Sequence, residues 1–220
     1  MRTNPFYDSW LFLIGETGDQ TSLGAWKWIF VLLFIGLLVG GVLIAIRNWR
    51  EDPEQRTGTH LATLFARILV GCMWFQGMMW KLPLFTTQNG LHYWTQQMTE
   101  HAAFQIHRDL VANVLLPAFV VVVSPLVFLA ELVFAVSLML GLGVRLVGLV
   151  AAAFVLNLWL GLYRHPAEWP WTYVFLILVM GGFSLHAAGR SLGLDALLRR
   201  RAAATGSREG RANRLLHLAG

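Results

Sequence analysis

The chain has 220 residues, of which 56% are hydrophobic and 13% charged, a charged share about half that of soluble domains. Several apolar runs exceed the ~18 residues a membrane crossing needs, so a soluble enzyme is excluded and one polytopic helical membrane domain is expected. The net charge of +5 does not point to nucleic acid, because the Arg residues flank apolar runs and load the C-terminal tail. Cys72 is the single cysteine. An internal disulfide, a C-x-x-C redox centre and a four-cysteine cluster are therefore excluded, and with them a disulfide generator carrying its own paired thiols.

Five spans are expected in chain order. Met1–Gln20 lacks a basic region followed by a short apolar core and a small-residue cleavage site, so no secretory signal is read there. The first span is about Trp26–Ile46, followed by a charged run from Arg47 to Arg56. The second is about Leu64–Leu84. A polar segment, Thr86–Asp109, follows. In it Trp94, Met98 and His101 keep helical spacing, which suits a short amphipathic helix on the outer surface. The third span runs to Leu142 and starts somewhere between Val111 and Pro125. Pro117 and Pro125 each remove a backbone donor, so Leu110–Val123 is either a short surface helix or part of a kinked long span. The fourth span is Arg145–Tyr163 and the fifth Trp171–Ala187. In the basic tail, Leu192, Leu194, Leu197 and Leu198 beside Arg199, Arg200 and Arg201 suit an interfacial helix on anionic lipid. Asp195 stands in its first turn, where an acid favours the helix dipole. The segment Ala202–Arg214 is expected to be mobile.

Orientation follows from Lys and Arg. A cytoplasmic C-terminus and an outer N-terminus put twelve of the 17 basic residues inside, as the positive-inside rule predicts. Trp26, Trp28, Trp80, Trp94, Trp169 and Trp171 then fall near the outer interface and Trp49 near the inner one, where indole rings anchor helices. A minority reading gives Trp80 or Trp159 a quinone-stacking role.

Glu131 is the only charge between Leu110 and Gly143. A carboxylate at that depth costs ~2.5–3.5 kcal/mol on insertion scales, so a partner is required and a functional site is the default hypothesis. Lys81 is the best candidate. It lies 14 residues beyond Arg67, and Glu131 lies 14 residues before Arg145, each interval roughly 21 Å of helix. If the two Arg residues share a depth, so do Lys81 and Glu131. Asn157, 12 residues beyond Arg145, joins them from the fourth span, and Gln76 from slightly below. Arg67, Gly71, Trp74, Met78 and Lys81 share one helix face, as do Glu131, Ala135, Leu138 and Leu142. Small residues such as Gly71 and Ala135 allow close helix approach. The layer either holds three helices in register or orients a substrate and handles protons, unless Lys81 snorkels to the outer surface without touching Glu131. His92, His101 and His107 lie in one polar segment, but their spacing is not that of a metal site. His186 is read as a helix-end residue.

Ala66-Arg-Ile-Leu-Val-Gly-Cys-Met-Trp-Phe-Gln-Gly-Met-Met-Trp-Lys81, Leu138-Met-Leu-Gly-Leu-Gly-Val-Arg145 and Gly189-Arg-Ser-Leu-Gly-Leu-Asp195 together resemble the DoxX-like membrane proteins. The long outer segment brings the chain closer to the DoxD subunit of thiosulfate:quinone oxidoreductase. The resemblance covers about Ala62–Leu198. It implies an all-α fold, a four-helix DoxX-like bundle, to which this chain adds one N-terminal transmembrane helix. Residues 1–60 then hold that helix and a cytoplasmic loop, 61–198 the four-helix domain, and 199–220 a basic cytoplasmic tail. The family-pattern residues are Arg67, Lys81, Glu131, Arg145, Arg190 and Asp195.

The resemblance also implies a quinone-linked role in a bacterial or archaeal cell (inner) membrane. In the DoxD branch two thiosulfates are oxidised to tetrathionate and electrons pass to quinone, with a second small subunit, DoxA, as partner. Nothing after Leu198 resembles that partner. Expected partners are therefore membrane lipid and either a DoxA-like subunit, another redox complex, or further copies of the chain. Lys81 and Glu131 are the catalytic candidates, with Glu131 handling protons. Arg67, Trp74, Gln76, Asn157, His92, His101, His107 and Arg108 are candidates for binding quinone or a thiosulfate dianion. Quinone is the expected acceptor, and no haem, flavin, iron–sulfur or metal motif accompanies it. The competing expectation is a non-catalytic subunit that anchors a larger redox complex. A transporter is disfavoured, because no inverted repeat is visible.

Overall fold

The computed structural model describes residues 4–14, 16 and 23–204. Nine α-helices occur in them: α1 Pro5–Leu13, α2 Lys27–Glu51, α3 Gly58–Met79, α4 Gly90–His101, α5 Gln105–Leu110, α6 Ser124–Leu140, α7 Val144–Gly161, α8 Pro170–Leu185 and α9 Leu194–Ala204. No strand occurs among the described residues. Among the described residues, four helical segments are long and apolar enough to cross a membrane: Gly24–Glu51, Gly58–Met79, Phe119–Leu140 and Val144–Gly161. Helix α8 is equally apolar but has 16 residues, roughly 24 Å. The protein is an all-α, multi-pass membrane protein, as expected.

Helix ends differ from expectation where local polar chemistry overrides the apolar run. Helix α2 continues five residues past Ile46, helped by the i,i+4 pair of Arg47 and Glu51 at 2.8 Å. Helix α3 starts at Gly58, where the Thr57 hydroxyl accepts from His60 N, and ends before Pro83, which cannot continue it. Helix α1 was not expected. Its signal is Asn4-Pro5, a capping side chain followed by proline at the first helical position: Asn4 Oδ1 accepts from Phe6 N and Tyr7 N. The choice left open by Pro117 and Pro125 resolves as a break. Val111–Leu115 continues α5 as a π turn, Leu116–Ala118 interrupts the helix, and a second π turn, Phe119–Val123, leads into α6. In both turns the amide reaches back five residues, Leu116 N to Val111 O and Val123 N to Ala118 O.

The described residues fall into two compact units. One comprises the described part of Met1–Phe34 with Phe75–Leu132 and Phe154–Phe175; the other comprises Ile35–Trp74, Val133–Ala153 and the described part of Leu176–Gly220. In lipid, apolar burial does not drive helix association, so close backbone approach must supply the contacts. The second unit shows this. A Cβ on Gly71 would lie 2.7 Å from Met139 Cγ, and one on Gly148 would lie 2.8 Å from Met180 O. Ala135 and Leu138 are fully buried, while Leu146, Leu149 and Leu178 are exposed, as lipid-facing residues are.

The second unit also holds a polar network. Arg67, fully buried, donates to Leu138 O. Asp195 stands in the first turn of α9, as expected, and also accepts from Gly143 N at 2.8 Å and Val144 N at 3.3 Å, so it caps α7 as well. Burial pushes its carboxyl above the ordinary aspartate value, against the opposite pull of those two amides, Arg67 and Arg190. Asn48 Nδ2 donates to Gly193 O, Arg200 donates to Asn48 Oδ1, and Gln55 Oε1 accepts from Leu192 N. Of the four leucines expected to face lipid, Leu192 and Leu197 are buried in protein, whereas Leu194 and Leu198 are half-buried. Of Ala202–Arg214, residues 202–204 belong to α9 and the rest lie outside the described residues.

Candidate functional site

The first unit is organised by one loop. Lys81 follows the last turn of α3, with its amide donating to Met78 O. Asn89 then ties this loop to α4. Its Nδ2 donates to Lys81 O at 3.2 Å and Pro83 O at 3.1 Å, and its Oδ1 accepts from His92 N at 2.9 Å. That last bond is an N-cap, so one buried side chain both starts α4 and fixes the backbone that carries Lys81. Helix α4 then buries Leu91, Thr95 and Met98, an i, i+4, i+7 face. Met98 lies so close to Gly161 that a Cβ there would meet Met98 Sδ at 2.8 Å.

Lys81 and Glu131 meet. Nζ lies 3.0 Å from Glu131 Oε2 and donates to Gly77 O at 2.9 Å. The ammonium also sits 4.9 Å from the centre of the Trp80 ring, within cation–π range. Lys81 is 8% exposed and Glu131 3%. An ammonium has three donors; one is spent on Gly77 O, while Glu131 Oε2 is held by charge.

The pair forms part of the wall of a cavity of about 500 Å³. Trp80, Leu91, Trp94, Thr95 and Met98 line it on the loop and α4 side. Val122, Val123, Leu126 and Val127 line it before Glu131, and Phe154, Asn157, Leu158 and Leu162 line it from α7. Thr95 spends its hydroxyl on Leu91 O, which adds little polarity. Glu168 and Tyr173 also line it, with Tyr173 Oη donating to Glu168 Oε2 at 2.8 Å. Cavities of this size and character suit a small, flat, mostly apolar molecule held by a few polar contacts.

Of the residues singled out from the sequence, the structure brings Lys81, Glu131 and Asn157 to this cavity. It does not bring the other residues expected to bind quinone or thiosulfate. Gln76 is half-buried and off the wall. Arg67 and Trp74 belong to the other unit, where Trp74 packs edge-on to Phe134 at 5.0 Å. His92 packs against Phe119 at 4.7 Å. His101 packs against His165 at 4.8 Å. His107 is half-buried, and Arg108 donates twice to Ala102 O at 3.3 Å. Trp80 and Trp94, expected at the interface, line the cavity, whereas Trp26, Trp28, Trp169 and Trp171 are exposed as anchors should be. Trp159 packs near Tyr163 and is not on the wall. Sequence reasoning missed Glu168 and Tyr173. The available signal was an acid in a short Trp-rich connection, five residues from a Tyr.

Residues 62–210 match the family model of DoxD, described as the TQO small subunit DoxD. No curated protein and no solved structure gives a significant match.

Proposed function

This chain belongs to the DoxD family, and on that premise we propose that it is the membrane subunit of a thiosulfate:quinone oxidoreductase, with the quinone held in the Lys81–Glu131 cavity. The observation that carries this reading is a buried acid–base pair on the wall of a largely apolar cavity of about 500 Å³. A structural ion pair needs no free volume beside it.

The residues fit a quinone ring. Trp80 and Trp94 offer aromatic faces, the aliphatic wall excludes water, and Lys81 and Asn157 offer donors. When bound, a quinone accepts two electrons and two protons. Lys81 orients a carbonyl oxygen with a remaining N–H, and the same charge stabilises the Glu131 carboxylate. Glu131 holds a proton and delivers it as electrons arrive, a general-acid step worth roughly 10²–10⁴ in rate. The electrons come from two thiosulfates joining into tetrathionate. Among the described residues the cavity wall offers one Lys and no Arg or His, so a sulfur dianion has little to bind there. That half-reaction falls to a DoxA-like partner or to the surface between the two proteins. By the distribution of basic residues, the chain sits in a cell membrane with its N-terminus outside and C-terminus in the cytoplasm.

The test is quinone binding by the purified full chain, followed by quenching of tryptophan fluorescence with decylubiquinone. Glu131→Gln is expected to keep the dissociation constant within about threefold while lowering quinone reduction by the complex ~100-fold. Absence of saturable quenching in the wild type would remove the reading.

A further inference from the structure

We propose that Glu168, oriented by Tyr173, is a second proton-handling carboxyl of the same cavity, paired in function with Glu131. The inference rests on the quinone reading above. Glu131 and Glu168 both line the cavity and reach it from different elements, one from within α6 and one from the connection before α8. Each carboxyl has a partner of its own. Lys81 Nζ lies 3.0 Å from Glu131, and Tyr173 Oη donates to Glu168 at 2.8 Å.

The chemistry asks for two such groups. Forming a quinol adds two electrons and two protons, one proton at each of two oxygens on opposite sides of the ring. Two thiosulfates supply the electrons as one S–S bond forms between them, and solution supplies the protons. A carboxyl group carries one transferable proton. A single acid would have to be reloaded between transfers, whereas two acids on one wall deliver both. Their exposure divides the labour. Glu131 is 3% exposed. Glu168 is half-buried beside exposed Ala167 and Trp169, where it can exchange with water. Tyr173 is a positioning residue. Its O–H stabilises the carboxylate left on Glu168 once the proton has gone.

Redox-induced infrared difference spectra of the full chain with decylubiquinone test this without any partner. Wild type is expected to show two carboxyl signals on reduction of the quinone. Glu131→Gln should remove one and Glu168→Gln the other, with decylubiquinone binding changed less than about threefold. Tyr173→Phe should shift the Glu168 signal and spare that of Glu131; it also decides the matter if Glu168→Gln fails to fold. A spectrum that loses a band in Glu131→Gln but is unchanged in both Glu168→Gln and Tyr173→Phe overturns the inference and leaves the quinone reading standing. No binding by wild type overturns both.

Discussion

Asp195 and Glu131 are both buried acids near a buried base, yet their surroundings differ. Asp195 accepts two backbone amides, and the elements around it are tied together through Asn48, Gln55 and Arg200. Glu131 has Lys81, and beside the pair is a cavity. A buried charge is therefore no marker of a site by itself. What separates the two is whether its hydrogen-bonding capacity is spent on the chain or kept facing open volume. The family-pattern residues divide along that line. Lys81 and Glu131 face the cavity, whereas Arg67 and Asp195 hold loops and helix ends.

The difference predicts opposite behaviour in paired substitutions. Asp195→Ala should cost about 1–3 kcal/mol for each of the two amides that loses its acceptor. Adding Arg67→Met should not recover it, because Gly143 N and Val144 N still lack their acceptor. Lys81→Met alone should cost about 3–5 kcal/mol, the usual loss when one partner of a buried ion pair is removed. Adding Glu131→Leu should return stability to within about 1 kcal/mol of wild type, since an apolar replacement of a whole pair is often neutral. Thermal unfolding in detergent reads both cycles. Recovery in the Asp195 cycle, or none in the Lys81 cycle, would erase the distinction.

A smaller effect isolates the cavity from the pair. Val127 lines the wall one turn before Glu131 and makes no polar contact. Val127→Phe takes up volume that a ring would occupy. Decylubiquinone should bind about tenfold more weakly, a change of about 1.4 kcal/mol, with the unfolding midpoint little altered. Equal affinity in this variant would put the quinone elsewhere.

Much of this was legible because membrane helices obey simple counting. The meeting of Lys81 and Glu131 follows from two intervals of 14 residues and the fixed rise of a helix. The close approach at Gly71 follows from residue size. The rest was hidden for physical reasons. The role of Asp195 depends on the Gly143 and Val144 amides, 51–52 residues away in sequence, which no local pattern reveals. The apolar stripe of Leu192 and Leu197 has the same periodicity whether it meets lipid or protein. Trp80 and Trp94 stand where anchoring residues stand, and only the loop after α3 and the fold of α4 turn them inward. Glu168 pairs with Tyr173 across Pro170, the start of α8, at a spacing that neither helix nor strand periodicity flags.

The smallest expected effect concerns the histidines of the polar segment. Their shared location invites an anion site for thiosulfate, but their rings are engaged or apart. His92 lies edge-on to Phe119 and His101 to His165, while His107 is half-buried, and none lines the cavity. An anion site needs donors converging within about 3 Å of one point, and these three side chains have separate neighbours. Each of His92→Gln, His101→Gln and His107→Gln should therefore change thiosulfate-dependent quinone reduction by less than about twofold, well below the ~10²-fold expected of a group acting in the chemistry. The comparison is sharpest at limiting thiosulfate, where lost binding energy appears as a raised KM. A tenfold rise in KM for any one of them, with kcat kept, would place the sulfur dianion on this segment and return it to the working surface of the protein.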